Sequence, residues 1–257
     1  MGHACQHLPP PALPVDARGM IGNMKTSALV SLRGAIDFMC YPRIDSPTLF
    51  AALLDGERGG SFGITPRASN ANVKQMYLPE TNVLLTRFMT GDGVCELLDL
   101  MPVPSSDARV DEVPNCVMRI VRLIFGHMTL DVQCDPRFDY ARVEHQTPPV
   151  QLLSNAPLSI DANVARATLE LKEGDSVCFA FGASDALHKL KNNFDDFLHE
   201  TIDYWKAWSS HSTYRGRYRE VMLRSALTLK LLSSDEFGAI VAAPTFGLSE
   251  AQDGSHR

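Results

Sequence analysis

The stretch ATLELKEGDSVCFAFG, residues 167–182, decides how the chain is read. Ala167, Leu169 and Leu171 share one side of an extended strand and Thr168, Glu170 and Lys172 the other, because strand side chains alternate with period two. Glu173-Gly174-Asp175 carries turn chemistry, and Val177, Phe179 and Phe181 resume the alternation. The run reads as a hairpin with one apolar face. The same scheme recurs upstream. ALVSLRGAID sets Arg33-Gly34 between two apolar arms. LLTRFMTGDGVCELLDL alternates Leu84, Thr86 and Phe88, turns at Gly91-Asp92-Gly93 and resumes with Val94, Glu96 and Leu98. LDVQCD alternates too. Hairpins repeated from about Met20 to Leu187 predict a mainly β fold, an antiparallel β-sandwich.

Near Asn192 the period changes. Phe194, Phe197, Leu198, Ile202, Trp205 and Trp208 recur at spacings of three and four, one apolar helical stripe, with Asp195 and Asp196 in the first turn where the helix dipole favours acids. A second stripe follows, with Tyr218, Val221, Met222, Ser225, Leu229 and Leu232. Its opposite side, with Leu223, Ala226, Leu227 and Leu231, is also largely apolar. A helix apolar nearly all round needs cover on most sides, and one sandwich offers one surface. The expectation is that Leu223, Leu227 and Leu231 lie partly exposed and await another domain. The domains read as a disordered Pro-rich tail over 1–19, the sandwich over 20–190, a linker helix over 191–213, and the start of a further, truncated domain over 214–257.

Composition narrows the function classes. The 257 residues are 45% hydrophobic, enough for a sizeable core. The net charge of −6 with no basic stripe argues against a nucleic-acid partner. The six cysteines, Cys5, Cys40, Cys95, Cys116, Cys134 and Cys178, form no C-x-x-C pair, which disfavours zinc and suggests buried thiols. The eight histidines show no metal spacing, and the expectation is no metal and no cofactor. No apolar run is long enough for a membrane span and no secretory leader is visible, so a cytoplasmic location is expected.

Several stretches, in order, resemble family 15 glycoside hydrolases, the glucoamylase-like and trehalase-like enzymes acting on α-glucosides. They are IGNMKTSALVSLRGAIDFMCYPRIDSPTLFAALLD (21–55), DLMPV (99–103), RIVR (119–122), DPRFDYAR (135–142) and YWKAWSSHSTYRGRYREVMLRSALTLKLLSSDEFGAIVAAPTFGLSE (204–250). The resemblance spans about Met20 to Arg257. It implies an N-terminal sandwich (a super-sandwich), a helical linker and the first helix of an (α/α)6 barrel that carries the active site. It implies an inverting hydrolase, a glucan 1,4-α-glucosidase or an α,α-trehalase. It also implies that the catalytic glutamates lie downstream of this chain, so that the chain alone is inactive. The implied partners are the missing barrel and an α-glucoside sugar.

Inversion needs an acid and a base carboxyl roughly 6.5–9.5 Å apart across the scissile bond. Glu220, Asp235, Glu236, Glu250 and Asp253 are the nearest local acids, and they read as helix-surface or loop charges. No catalytic residue is therefore assigned. Pro-Arg-apolar-Asp occurs twice, at 42–45 and 136–139. Arg43, Asp45, Arg137 and Asp139 could bond sugar hydroxyls near a domain junction, but an Arg–carboxylate brace at a strand end is the favoured reading. Tyr140 reads as a buried aromatic, and Trp205 and Trp208 as packing on the sandwich rather than a sugar platform. Arg257 matches an arginine that the family places beside bound glucose, and is the one ligand contact expected. A stand-alone carbohydrate-binding or interaction sandwich is the alternative.

Overall fold

The computed structural model describes residues 17–103, 113–140, 150–183, 187, 190 and 193–245. Among them are thirteen strands, all antiparallel where they pair, and two helices. One sheet runs in the order β1 (Arg18–Gly22), β2 (Ser27–Ser31), β3 (Ala35–Cys40), β5 (Ser61–Pro66), the second half of β9 (Cys116–Asp135), β12 (Val164–Lys172) and β11 (Ser159–Asp161), with β4 (Thr48–Phe50) beside β3. The other runs β6 (Asn72–Tyr77), β7 (Leu84–Met89), β8 (Gly93–Leu100), the first half of β9, β13 (Ser176–Ala183) and β10 (Val150–Ser154).

The two sheets share β9. It turns at Gly126, whose φ of 71 is open to glycine and whose missing Cβ would collide with the Asp92 carbonyl. That bend corrects the reading of residues 167–182. β12 pairs with β9 over His127–Cys134, whereas β13 pairs with β9 over Cys116–Arg122. The two arms therefore lie in different sheets and do not pair with each other. The turn at Gly174 (φ 88) is a crossing between layers, not a hairpin tip. A period-two pattern reports which face is apolar and says nothing about which neighbour supplies the hydrogen bonds.

Apolar residues fill three places. Between the sheets lie Phe50, Phe62, Phe179 and Phe181 with the inward residues of both layers. Phe62 meets Phe179 edge-on at 6.0 Å. The outer face of the second sheet, with Leu85, Leu98, Leu100, Met118 and Ile120, is covered by Phe194, Phe197, Leu198 and Ile202 of α1 (Phe194–Ser210). Strands covered on both faces lose the polar half of their alternation, which is why VMRIVRLI in β9 reads as an almost unbroken apolar run. The third cluster lies outside the first sheet, where Met20, Leu29 and Phe38 meet Trp205 and the leucines of α2 (Arg219–Leu231).

One long side of the sandwich is stitched by side chains. The Tyr77 hydroxyl accepts from the Met20 amide at 2.8 Å and donates to the Met20 carbonyl at 2.9 Å, so β6 of one sheet holds edge strand β1 of the other. The strand begins earlier than the expected tail boundary at residue 19. Arg18 is already in β1, because its guanidinium pairs at 2.8 Å with Asp37 on β3. The rest of that tail, residues 1–16, lies outside the described residues.

Arg119 of β9 and Asp99 of β8 are fully buried between the sheets and bond through Nε and Oδ1 at 2.7 Å. The guanidinium also donates to the Gly34 carbonyl at 2.8 Å and to the Phe62 carbonyl, both on the opposite layer, and lies 4.7 Å over the Phe62 ring. Burial raises the pKa of the Asp99 carboxyl, and the adjoining guanidinium opposes that rise. Removing one member of a buried pair leaves the other charge uncompensated, at a cost of about 3–5 kcal/mol. Arg119→Ala is therefore expected to lower the unfolding free energy measured by urea denaturation by that amount. An Arg119→Ala unfolding free energy within about 1 kcal/mol of the parent's would show that the pair is dispensable.

Candidate docking face

Helix α2 is where packing departs most from the sequence reading. Leu223, Leu227 and Leu231 are 7%, 2% and 2% exposed, while Val221, Met222 and Leu229 are 65%, 54% and 53% exposed. The expectation that Leu223, Leu227 and Leu231 lie partly exposed is thus overturned. They fill the outer face of the first sheet, and the stripe from Tyr218 to Leu229 points to solvent instead. Leu232, counted with that stripe, is buried. The helix has two apolar sides and the sandwich covers one.

Polar contacts choose which side turns in. Arg224 lies 3.9 Å over the Tyr77 ring and donates to the Thr81 carbonyl at 2.8 Å and to the Asn82 side chain. Asn82 Nδ2 donates to the Leu227 carbonyl at 3.2 Å, and Arg219 pairs with Glu80 at 2.8 Å. These groups lie on α2 and on the β6–β7 connection. Sequence reasoning passed over Arg224. An arginine spaced one residue from Leu223 and three from Leu227 carries no periodic signal of its own, although its place between two leucines of the buried side was visible.

After α2 the chain turns back on itself. Val241 N donates to Leu232 O at 2.9 Å, Gly238 N to Ser234 O at 2.9 Å and Asp235 N to Met24 O at 3.1 Å. Phe237 and Ile240 stand exposed on this turn. Tyr218, Val221, Met222 and Leu229 make an exposed apolar stripe on α2, and Phe237 and Ile240 add exposed apolar side chains on the segment that follows it. An exposed apolar stripe of this kind is a candidate interaction site.

Arg43 bonds Asp45 through Nε at 2.9 Å, and both are exposed. The Arg43 guanidinium holds the Asp45 carboxyl below the usual carboxylate range. Arg137 pairs with Asp135 at 2.8 Å, not with Asp139. Backbone bonds tie 137–140 to β4: Arg137 N to Leu49 O at 2.9 Å, Asp139 N to Thr48 O at 2.9 Å and Tyr140 N to Thr48 Oγ1 at 2.8 Å. Asp139 and Tyr140 sit in the left-handed region, at φ 48 and 56. Trp205 is buried in the third cluster with Trp208 partly buried beside it, so neither offers a flat open ring. Arg257, Glu250 and Asp253 lie outside the described residues.

A cleft of about 720 Å³ opens where β10, β11 and the end of β9 leave the sandwich unstitched, with Asp135, Arg137, Phe138, Gln151 and Asn163 in its wall. Its acids are not a poised pair, since Asp135 is held by Arg137 and Glu57 stands exposed on the rim. Cys40, Cys95, Cys116, Cys134 and Cys178 are buried free thiols. Burial pushes Cys40 up to about 11 and Cys95 up to about 12, which keeps them protonated at neutral pH. Among the described residues no His, Cys, Asp and Glu cluster could hold a metal ion, and no helix is long and apolar enough to cross a membrane.

Two predictions follow from the split helix. Leu227→Ala should cost about 2–5 kcal/mol in thermal or urea unfolding, as expected for a leucine in a packed core. Met222→Lys together with Leu229→Lys should change stability by no more than about 0.5 kcal/mol for each exposed site, and should lower any self-association seen by sedimentation velocity. A large loss of stability in the lysine variant would mean that this side is covered in solution.

Comparison with known proteins identifies the family. A family model described as "Trehalase-like, N-terminal" matches residues 10–155. A trehalase of Thermoplasma volcanium is 31% identical over 93% of this chain and 41% of its own length. A trehalase of Mycolicibacterium smegmatis is 30% identical over 95% of the chain and 42% of its length. A trehalase of Thermoplasma acidophilum is 32% identical over 88% and 41%. The chain thus spans about two fifths of the length of these curated relatives. With the matched region covering more than half of its residues, the chain belongs to the trehalase-like N-terminal domain family.

Proposed function

We propose that this chain is the non-catalytic sandwich of an α-glucoside hydrolase, and that it presents α2 and the segment after it to a helical catalytic domain. The observation that carries the reading is the division of α2, with one apolar side buried on the sandwich and the other open. The relatives are trehalases more than twice as long as the matched region, so a trehalose-like α-glucoside is the substrate class of the assembled enzyme.

The carboxylates support a non-catalytic role. Asp99 and Asp37 are each engaged by a buried arginine. Asp45, Asp131 and Asp135 are held by Arg43, Arg67 and Arg137 at the surface. An inverting site needs one carboxyl kept protonated beside the sugar and another free to activate water. None of these ion-paired groups is arranged for that work. The outward side of α2 instead offers apolar area, at about 1.5–3 kcal/mol for each large side chain fully covered.

The purified chain is expected to release no glucose from trehalose or maltose above a blank. Mixed with the separately expressed C-terminal three fifths of a trehalase relative, it should form a complex in sedimentation, and the Met222→Lys, Leu229→Lys variant should not. Glucose release by the chain alone would overturn the non-catalytic reading. Equal binding by parent and variant would overturn the assignment of the face.

A further inference from the structure

The loop between β3 and β4, residues 41–47, contains the first Pro-Arg-apolar-Asp motif and contacts the segment after α2. Arg43 NH1 lies 3.5 Å from Glu236 Oε2, and its guanidinium lies 5.5 Å over the Phe237 ring. The β1–β2 turn bridges the same two segments from below. Its Lys25 carbonyl accepts from Ile44 N at 2.9 Å, and its Met24 carbonyl accepts from Asp235 N at 3.1 Å. The loop itself is pinned from behind by Asn115, whose Nδ2 donates to Pro42 O at 2.9 Å.

We propose that loop 41–47 is a latch that sets the path of the chain leaving α2, with Arg43 as its positioning residue. The inference rests on the docking reading for its purpose, because the path of 234–241 decides where Phe237 and Ile240 stand on the docking face. Arg43 divides its guanidinium. One edge is bound to Asp45, which orients the fork. The remaining nitrogen and the planar face are left for Glu236 and Phe237. A planar, forked cation can make both contacts at once, whereas a lysine ammonium offers one point charge. Both Arg43 and Glu236 are half exposed, so the contact is weak and reversible, unlike the buried packing of α2 itself.

The test is amide hydrogen exchange on the full chain. Arg43→Ala should speed exchange at Gly238 and Val241 roughly three- to ten-fold, with β9 amides and the melting temperature unchanged. Glu236→Gln should act on the same two amides and leave Ile44 alone. Arg43→Lys should recover less than half of the lost protection. A brace confined to its own loop predicts the opposite pattern, with faster exchange at Ile44 and Ser46 and none at Gly238 or Val241, and that outcome overturns the latch. No change at any of these amides overturns it too. These measurements need no partner, so they can fail while docking holds. Loss of docking in the lysine variant with normal protection at Gly238 would separate the two in the other direction.

Discussion

A charge buried between two sheets has few tolerable positions, and Arg119 occupies one. Its guanidinium must give each of its nitrogens a partner in a space without water. Asp99 on its own layer supplies an acid, and the Gly34 and Phe62 carbonyls on the facing layer supply the rest. A slip of either layer by one residue would reverse the side chains' direction and strand the charge. The Gly34 carbonyl also accepts from Ile64 N at 3.1 Å, so the turn that delivers it is tied into β5 as well. Such a pair does not add stability over a well-packed apolar core, because desolvation offsets most of the attraction. Its effect is to make the intended layer spacing and register far better than the neighbouring ones.

The same constraint explains the role of β9. Arg119 sits in its first half, which belongs to the second sheet, and the second half belongs to the first sheet. One strand thus carries the charge and also joins the layers at Gly126. The crossing of β12 to β13 through Gly174 follows that bend, each arm pairing with the half of β9 in its own layer. The residues that look like a hairpin in the sequence are the second connection between the sheets.

Much of this was legible in the sequence, and the losses have physical reasons. The switch from period two to a helical period near Asn192 marked the helices within a few residues, because both α1 and α2 bury a side and the burial writes the period. DLMPV and RIVR stood out as stretches, yet nothing local says that Asp99 and Arg119 meet, since twenty residues separate them and the pairing belongs to the β8–β9 register. For α2 the pattern showed two apolar sides and could not rank them. The decision lies in what Arg224 of the helix meets, Asn82 and Tyr77, which are distant from it in sequence, and a moment summed over one helix does not see those partners.

The contacts around α2 fall into two strengths, and the difference bears on how the proposed docking face would work. Leu223, Leu227 and Leu231, with Arg224 on Tyr77, hold the helix by burial on the scale of several kcal/mol, so its position is settled before anything meets its outer side. Beyond Leu232 the chain is held by backbone bonds, by Val241 packed partly buried on the third cluster, and by half-exposed groups that salt and water weaken. The exposed side of α2 is thus a rigid ridge, from Tyr218 to Leu229, and the turn with Phe237 and Ile240 is the more adjustable element that follows it in the chain. A rigid ridge lowers the ordering cost of association, and an adjustable neighbour lets the contact close without requiring the sandwich to move. Among the described residues, the buried charge fixes the sheets, the sheets fix α2, and the segment after α2 is the part held least firmly, so the proposed partner would be accommodated there.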